Sequence, residues 1–474
     1  MKRYNWQDLG PEQQDALLRR PALAADDRLR REVADILSQV QDDGDAALIR
    51  LAREFDGVEI SELLVSPREF DEAESSLRPD ERSAIRMAAA NISAFHRAQL
   101  PQPLSVETTP GVVCERLVRP IASVGLYVPA GSAPLPSTAL MLGVPASQAG
   151  CPTQVLCSPP RTDGRVDPAV LYAASVCGIS TVVRAGGAQA IGAMAYGTET
   201  VPRVDKLFGP GNAWVMEAKE QVVADPRGAA RDLPAGPSEV LVIADEKAEP
   251  AFVAADLLSQ AEHGVDSQVI LLTPSEQLLN RVLSEVESQT QQLSRRDIVR
   301  QSLAHSRAIL VRDLPTAIAV SNRYAPEHLI VQIENPRRML DRVVAAGSVF
   351  LGPWAPETVG DYCSGTNHVL PTYGFARAYS GLGVSDFLRT MTVQTLTEDG
   401  LRAVGPIAEQ LAALEGLDAH GQAVRKRLEV LDARGKTVRE AREELEAQSQ
   451  VVRKGREAIE AQGQTVRKGR EALA

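Results

Sequence analysis

Apolar residues recur at three- and four-residue spacing through the first hundred positions. The segments Asp8 to Arg20, Asp26 to Phe55 and Pro79 to Arg97 carry that spacing, which predicts amphipathic helices. From about residue 112 the pattern changes. Short apolar runs alternate with Ala-rich helical stretches: Val118 to Pro129, Gln154 to Ser158, Thr181 to Ala185 and Lys206 to Phe208. A second series follows at Glu239 to Ala244, Ser267 to Leu272, Ala308 to Val311, His328 to Val331 and Gly347 to Leu351. Runs that are apolar on both faces are the strands of buried parallel sheets. Two such series predict two α/β domains that face each other across a cleft.

The end of the chain has a different rhythm. From Gly421 a 14-residue repeat sets in, and one apolar residue recurs every seven positions at Val424, Leu431, Val438, Leu445, Val452, Ile459, Val466 and Leu473. A robust coiled coil has two apolar positions per heptad. Here the second is Arg, Ala, Gln or Gly, so the seam is thin. Gly435, Gly455, Gly463 and Gly469 each cost a helix about 1 kcal/mol. The tail reads as a charged helix, marginal alone, with disorder as the competing state.

Composition narrows the function. The 474 residues exceed one ordinary core, and 44% hydrophobic with 24% charged residues is the balance of a globular protein. A net charge of −11 opposes binding to phosphate backbones and anionic lipid, so no nucleic acid and no membrane partner is expected. No apolar stretch reaches the length of a membrane span, and the first residues lack the apolar core of a signal peptide. Five cysteines without a Cys-x-x-Cys pair argue against a disulfide framework and for the reducing cytoplasm.

The candidate chemistry lies in a few polar clusters. In Ser259-Gln260-Ala261-Glu262-His263-Gly264, Gln260 and His263 are three apart at a helix end and can face one divalent metal, although a satisfied helix-end histidine would look the same. Gly360 to His368 is glycine-rich and polar, with Asp361 as a hard oxygen ligand. Glu415 and His420 form a third carboxylate–imidazole pair just before the tail. Glu327 and His328 are adjacent, and at a turn entering a strand both can line a pocket as bases of different strength. A capped turn is the plainer alternative. Glycine-rich loops around Gly131, Gly187 and Gly209 follow strand-like runs and suit a phosphate near a helix start, but the dinucleotide and P-loop fingerprints are both absent.

Several of these segments resemble those of histidinol dehydrogenases, in the same order. They are Gly-Leu-Tyr127-Val-Pro-Ala-Gly-Ser-Ala-Pro-Leu, Gly-Gly-Ala-Gln189-Ala-Ile, Phe-Gly-Pro-Gly-Asn212, Leu-Pro-Ala-Gly-Pro-Ser238-Glu-Val, Leu-Leu-Ser-Gln260-Ala-Glu-His263-Gly, Ala-Pro-Glu327-His328-Leu and Gly-Asp361-Tyr-Cys-Ser-Gly-Thr-Asn-His. The likeness runs from about residue 5 to about 432.

The resemblance implies Zn2+, one per subunit, on Gln260, His263, Asp361 and His420, with Glu327 and His328 as catalytic bases. It implies substrate contacts at Ser238, Gln260, His263, His328, Asp361, Glu415 and His420, and NAD contacts at Tyr127, Gln189 and Asn212. The implied reaction takes L-histidinol to L-histidine through L-histidinaldehyde, in a homodimer where Glu415 and His420 act across the interface. The implied architecture is α/β, with two Rossmann-like domains on parallel sheets. Residues 1–22 form a helical arm. Residues 23–126 with 239–382 form the first Rossmann-like domain and 127–238 the second. Residues 383–432 form a small helical C-terminal dimerisation segment, and 433–474 the repetitive charged helical tail. Two other classes fit the bare motifs: a metal-dependent hydrolase using the same ligands with Glu327 as base, and a non-catalytic scaffold organised by the tail.

Overall fold

A computed structural model describes residues 1–20, 27–130, 133–234 and 236–471, apart from the side chains of 461, 462 and 464–471. Gly131, Ser132, Ala235 and the last three residues of the tail therefore lie outside the described residues. The chain divides into two compact units, Met1–Pro101 with Arg119–Arg389, and Gln102–Val118 with Thr390–Ala474.

Both expected parallel sheets are in the first unit. One has five strands in the order Thr181–Arg184, Thr153–Ser158, Ser123–Tyr127, Lys206–Phe208, Ala230–Arg231. The other runs Arg307–Leu310, Gln268–Thr273, Glu239–Ala244, His328–Gln332, Ser348–Leu351. In each, the first strand of the series is central and the chain reverses direction beside it, which is the Rossmann-like order. Glu239–Ala244, Gln268–Thr273 and His328–Gln332 are buried at every position, so their sequences run apolar instead of alternating. The intervening helices start on proline at Pro136, Pro168 and Pro250, where a missing N–H costs nothing.

The structure corrects three expectations about organisation. The arm is not purely helical: Lys2–Asn5 is a sixth strand, parallel to Arg307–Leu310, before a 3-10 turn and the helix Pro11–Leu17. Residues 21 and 22 lie outside the described part.

The grouping of 23–126 with 239–382 also gives way. Asp27–Leu51 packs on Gly187–Tyr196 and Ala213–Ala224, Pro67–Ser76 on Pro168–Val176, and Pro79–Arg97 on Pro136–Ala149. Leu37, Val40 and Leu48 share a core with Val155, Val183 and Ile191, so these helices belong with the five-stranded sheet. Ser123–Tyr127 is the central strand of that sheet, which moves the boundary ahead of residue 123. Helical periodicity shows that a face is buried, not which sheet covers it.

Finally, the segment 383–432 is not all helix. Leu388–Leu396 is a strand beside Val112–Pro120, which pairs antiparallel with Leu104–Thr109.

In the second unit, Glu398–Leu414 turns back through three residues into one continuous helix, Asp418–Glu471, so the tail is helical throughout its described length. Among the described residues no helix is long and apolar enough to cross a membrane.

Candidate active site

The polar clusters of the first unit gather at the N-terminal ends of the six-stranded sheet. His328 opens its strand, and Ser238 immediately precedes the central strand Glu239–Ala244. The helix Leu314–Tyr324 ends on Ala325, whose φ of 53° is left-handed. That reversal turns both Glu327 and His328 inward, which a regular element cannot do with adjacent residues. A non-glycine residue there carries about 1–2 kcal/mol of strain that the surroundings must hold.

Arg20 is what holds it. Its guanidinium makes a two-point ion pair with buried Glu239, with Nη2 to Oε2 at 2.8 Å. It also donates to the carbonyls of Tyr324 (2.9 Å) and Ala325 (3.2 Å) and stacks 3.9 Å from the Tyr324 ring centroid. Glu239 in turn donates its backbone N–H to Glu327 Oε2 at 2.8 Å. Its carbonyl oxygen lies 3.2 Å from His328 Nδ1.

Around His328 stand three carboxylates. Nδ1 is 3.6 Å from Glu327 Oε2 and 3.8 Å from Glu357 Oε1, while Nε2 is 3.3 Å from Asp361 Oδ1 yet has no aligned hydrogen bond. Burial opposes charge on the ring, but Glu357, Glu327 and Asp361 outweigh it and hold the imidazole well above its usual value. Burial pushes Glu327 up to about 8, the range of a base working near neutrality. Glu357 is held well above the usual carboxylate range by burial. Asp361 is the exception. Its burial is overcome by His328, with His368 and His263 assisting, so it stays anionic.

Glu357 and Asp361 are four residues apart on the short helix Glu357–Tyr362 and share one face. That helix lies close on its sheet because Gly360 has no Cβ to meet the Phe350 ring. With His328 their ligand atoms fall within 4.8 Å of one another. Gln260, buried near the end of Pro250–Ala261, bonds Glu357 when its amide nitrogen faces that carboxylate, and its oxygen then accepts from Glu239 N–H at 3.0 Å. His263 follows at the rim, reached by solvent. The protein mass around it disfavours its charged form, which leaves a neutral nitrogen for a ligand. His368 fixes Asp361 from behind, with Nδ1 2.8 Å from the Asp361 carbonyl oxygen.

The second feature is a cavity of about 860 Å³ at the C-terminal ends of the five-stranded sheet, lined by Tyr127, Gln189, Asn212, Trp214, Arg161 and Asp56 among others. It lies where the strand order reverses, the usual ligand position in such sheets. The glycine-rich segments that follow Thr181–Arg184 and Lys206–Phe208 leave this edge. Gly209 has a φ of 120° and packs against the Tyr127 carbonyl, so only glycine fits there. Tyr127 Oη accepts from Gly187 N–H at 3.0 Å, and Asn212 caps the helix Ala213–Ala224. Burial pushes the Cys151 thiol up to about 11, far from a reactive thiolate.

A family model described as histidinol dehydrogenase matches residues 18–428. The chain belongs to the histidinol dehydrogenase family.

The histidinol dehydrogenase of Xanthomonas axonopodis pv. citri is 57% identical over 428 residues, 90% of this chain and 99% of that protein. That of Vibrio parahaemolyticus is 54% identical over 428 residues, covering 90% and 98%. The crystal structure of histidinol dehydrogenase from Elizabethkingia anophelis superposes with a TM-score of 0.88 at 48% identity, over 91% of this chain and 99% of that one. The two-domain α/β reading stands with these matches. As a histidinol dehydrogenase the chain is an oxidoreductase acting on histidinol in histidine biosynthesis, which sets aside the hydrolase and scaffold readings.

The fold brings together Ser238, Gln260, His263, Glu327, His328 and Asp361 in one region, and Tyr127, Gln189 and Asn212 in the cavity. Glu415 and His420 are in the second unit, both exposed, at the end of Glu398–Leu414 and in the first turn of Asp418–Glu471. Sequence reasoning missed Glu357, Glu239 and Arg20. For Glu357 a signal existed, since it stands four positions before Asp361; for Arg20 and Glu239, 219 residues apart, none did.

Proposed function

We propose that the protein oxidises L-histidinol to L-histidine by two hydride transfers to NAD through L-histidinaldehyde, the last two steps of histidine biosynthesis, using one zinc ion per subunit. The carrying observation is His328 and Glu327 buried side by side next to an anionic Asp361. The cavity containing Tyr127, Gln189 and Asn212 is proposed as the NAD site.

The donor set suits zinc: an amide at Gln260, a neutral imidazole at His263 and a carboxylate at Asp361, with His420 as the fourth ligand. Bound there, zinc would grip the substrate's amine and imidazole, fix its orientation, and draw the charge of Asp361 away from His328. His328 takes the hydroxyl proton as hydride leaves for NAD. Glu327 draws a proton from the water that hydrates the aldehyde, and His328 serves again in the second oxidation. Ser238, Gln260, His263, His328 and Asp361 bind the substrate. Glu415 and His420 complete the site from the partner in a homodimer, which accords with their exposure in this chain. The protein works in the cytoplasm, with neither membrane nor nucleic acid as a partner.

The test is NADH absorbance with purified protein, L-histidinol and NAD, before and after chelation. Turnover lost on chelation and restored by zinc is expected; no NADH from zinc-loaded protein overturns the reading. Glu327→Gln and His328→Asn should cost on the order of 100-fold or more in kcat, while Gln189→Ala should raise KM for NAD alone. Unchanged turnover in the first two refutes the assigned roles even if the reaction stands.

A further inference from the structure

The helix Asp418–Glu471 carries a row and a column. The row is Val424, Leu431, Val438, Leu445, Val452 and Ile459, one residue every seven. The next position after each forms the column Arg425, Asp432, Arg439, Glu446, Arg453 and Glu460, which alternates strictly in sign. Arg467 continues the alternation in the sequence.

The first part of both already has an antiparallel partner, the helix Glu398–Leu414. Val424 and Leu428 close over Gly405, and Leu431 is only 8% exposed. The column is matched as well: Arg425 lies 3.7 Å from Glu409, Asp432 pairs with Arg402, and Arg434 beside it lies 3.6 Å from Glu398. Past residue 434 the partner helix is exhausted. Row and column go on unchanged, and Val438, Leu445, Val452 and Ile459 are 67%, 65%, 60% and 70% exposed. Among the described residues, the column charges there make only exposed contacts along their own helix, Arg442 with Glu446 and Arg453 with Glu457, of the kind worth little.

We propose that residues 438–460 pair with the same residues of a second copy of the chain as an antiparallel two-stranded coiled coil. Its two-fold axis falls between residues 446 and 453. Val438 then lies beside Ile459 of the second copy, and Leu445 beside its Val452, each within one residue of its partner's level. Arg439 lies beside Glu460 and Glu446 beside Arg453, each within one residue of its partner's level, so both column pairs are of opposite sign. A seven-residue apolar repeat keeps one apolar seam on the same face along both helices, and an identical antiparallel pair is self-complementary about its axis. Parallel pairing would set the column against Ala441, Gln448 and Gly455, which carry no charge, and leave the alternation without a purpose. The column supplies the specificity that a row with one apolar residue per heptad lacks.

The experiment uses full-length chains. Copies carrying Leu445→Cys are mixed with copies carrying Val452→Cys and oxidised, and interchain disulfides are read on non-reducing gels with the linked peptide identified by mass spectrometry. A 445–452 link is expected, absent from the control mixture of Ala447→Cys with Lys454→Cys on the opposite face. A 445–445 link means parallel pairing and overturns the proposal; no link above the control overturns pairing altogether. Adding Glu446→Arg to both copies should abolish the link, and adding Arg453→Glu as well should restore it. A link indifferent to both charge changes refutes the column's role.

Discussion

Replacing Arg20 with Met tests whether the N-terminal arm organises the site. The side chain is 11% exposed and its partner Glu239 only 2%. Removing one member of a buried pair leaves an uncompensated charge, at a cost of about 3–5 kcal/mol. The Tyr373 N–H still donates to Glu239 Oε1 at 2.9 Å, so the lower end, about 3 kcal/mol, is expected. Two consequences separate this from a general loss of packing. The Ala325 carbonyl loses its donor and the Tyr324 carbonyl keeps only the longer one from Arg377 at 3.5 Å, which loosens the left-handed turn carrying Glu327, so kcat should fall on the order of 10- to 100-fold. KM for NAD should hold, because the cavity is built on the other sheet. The double variant Arg20→Met with Glu239→Gln should recover most of the stability, since no charge is left buried, but not the kcat, since the turn remains unclamped. Urea unfolding midpoints and NADH turnover measure both. A single variant losing under about 1 kcal/mol, or a double variant less stable than the single, refutes the argument.

Other expectations follow from the same contacts. Burial raises Asp256 to about 7 against the bond from Gln332, so the fold resists its charge: stability through this group is fully present in acid and declines as pH rises through about 7. Asp256→Asn should therefore match the parent in acid and melt higher in alkali, by at most about 4 kcal/mol; equal melting at both pH values contradicts it. Glu357→Gln keeps the shape beside Gln260 but removes the carboxyl group that favours protonation of His328, and should cost on the order of 10- to 100-fold in turnover with KM for NAD unchanged. Ala325→Gly relieves a positive φ and should raise the urea midpoint by the equivalent of up to about 1 kcal/mol, whereas Ala325→Val should lower it.

These contacts also show what a sequence can and cannot disclose. The strands of both sheets were legible because burial on both faces makes a run apolar irrespective of what covers it. Gln260 with His263, and the pair Glu327–His328, were legible because ligand and base chemistry is carried by residue type at short spacing. The assignment of residues 27–97 to the five-stranded sheet was not, since an amphipathic face on Leu37 and Val40 is equally compatible with either layer. Nor was Arg20: a lone arginine reads as surface, and only the tertiary fold brings it to Glu239 and the turn before Glu327. Glu357 lay between these cases, visible in spacing from Asp361 but without meaning until a helix made residues four apart into neighbours. The tail repeats this lesson at seven-residue spacing. Counting apolar positions alone finds one per heptad and a weak seam; the column beside them becomes information once the helix is continuous and its first part, through Asp432, is seen to use the same alternation against Glu409 and Arg402. A pattern satisfied inside the chain at one end and repeated unsatisfied at the other indicates the kind of surface it was selected to meet: an antiparallel helix of alternating charge, which a second copy supplies.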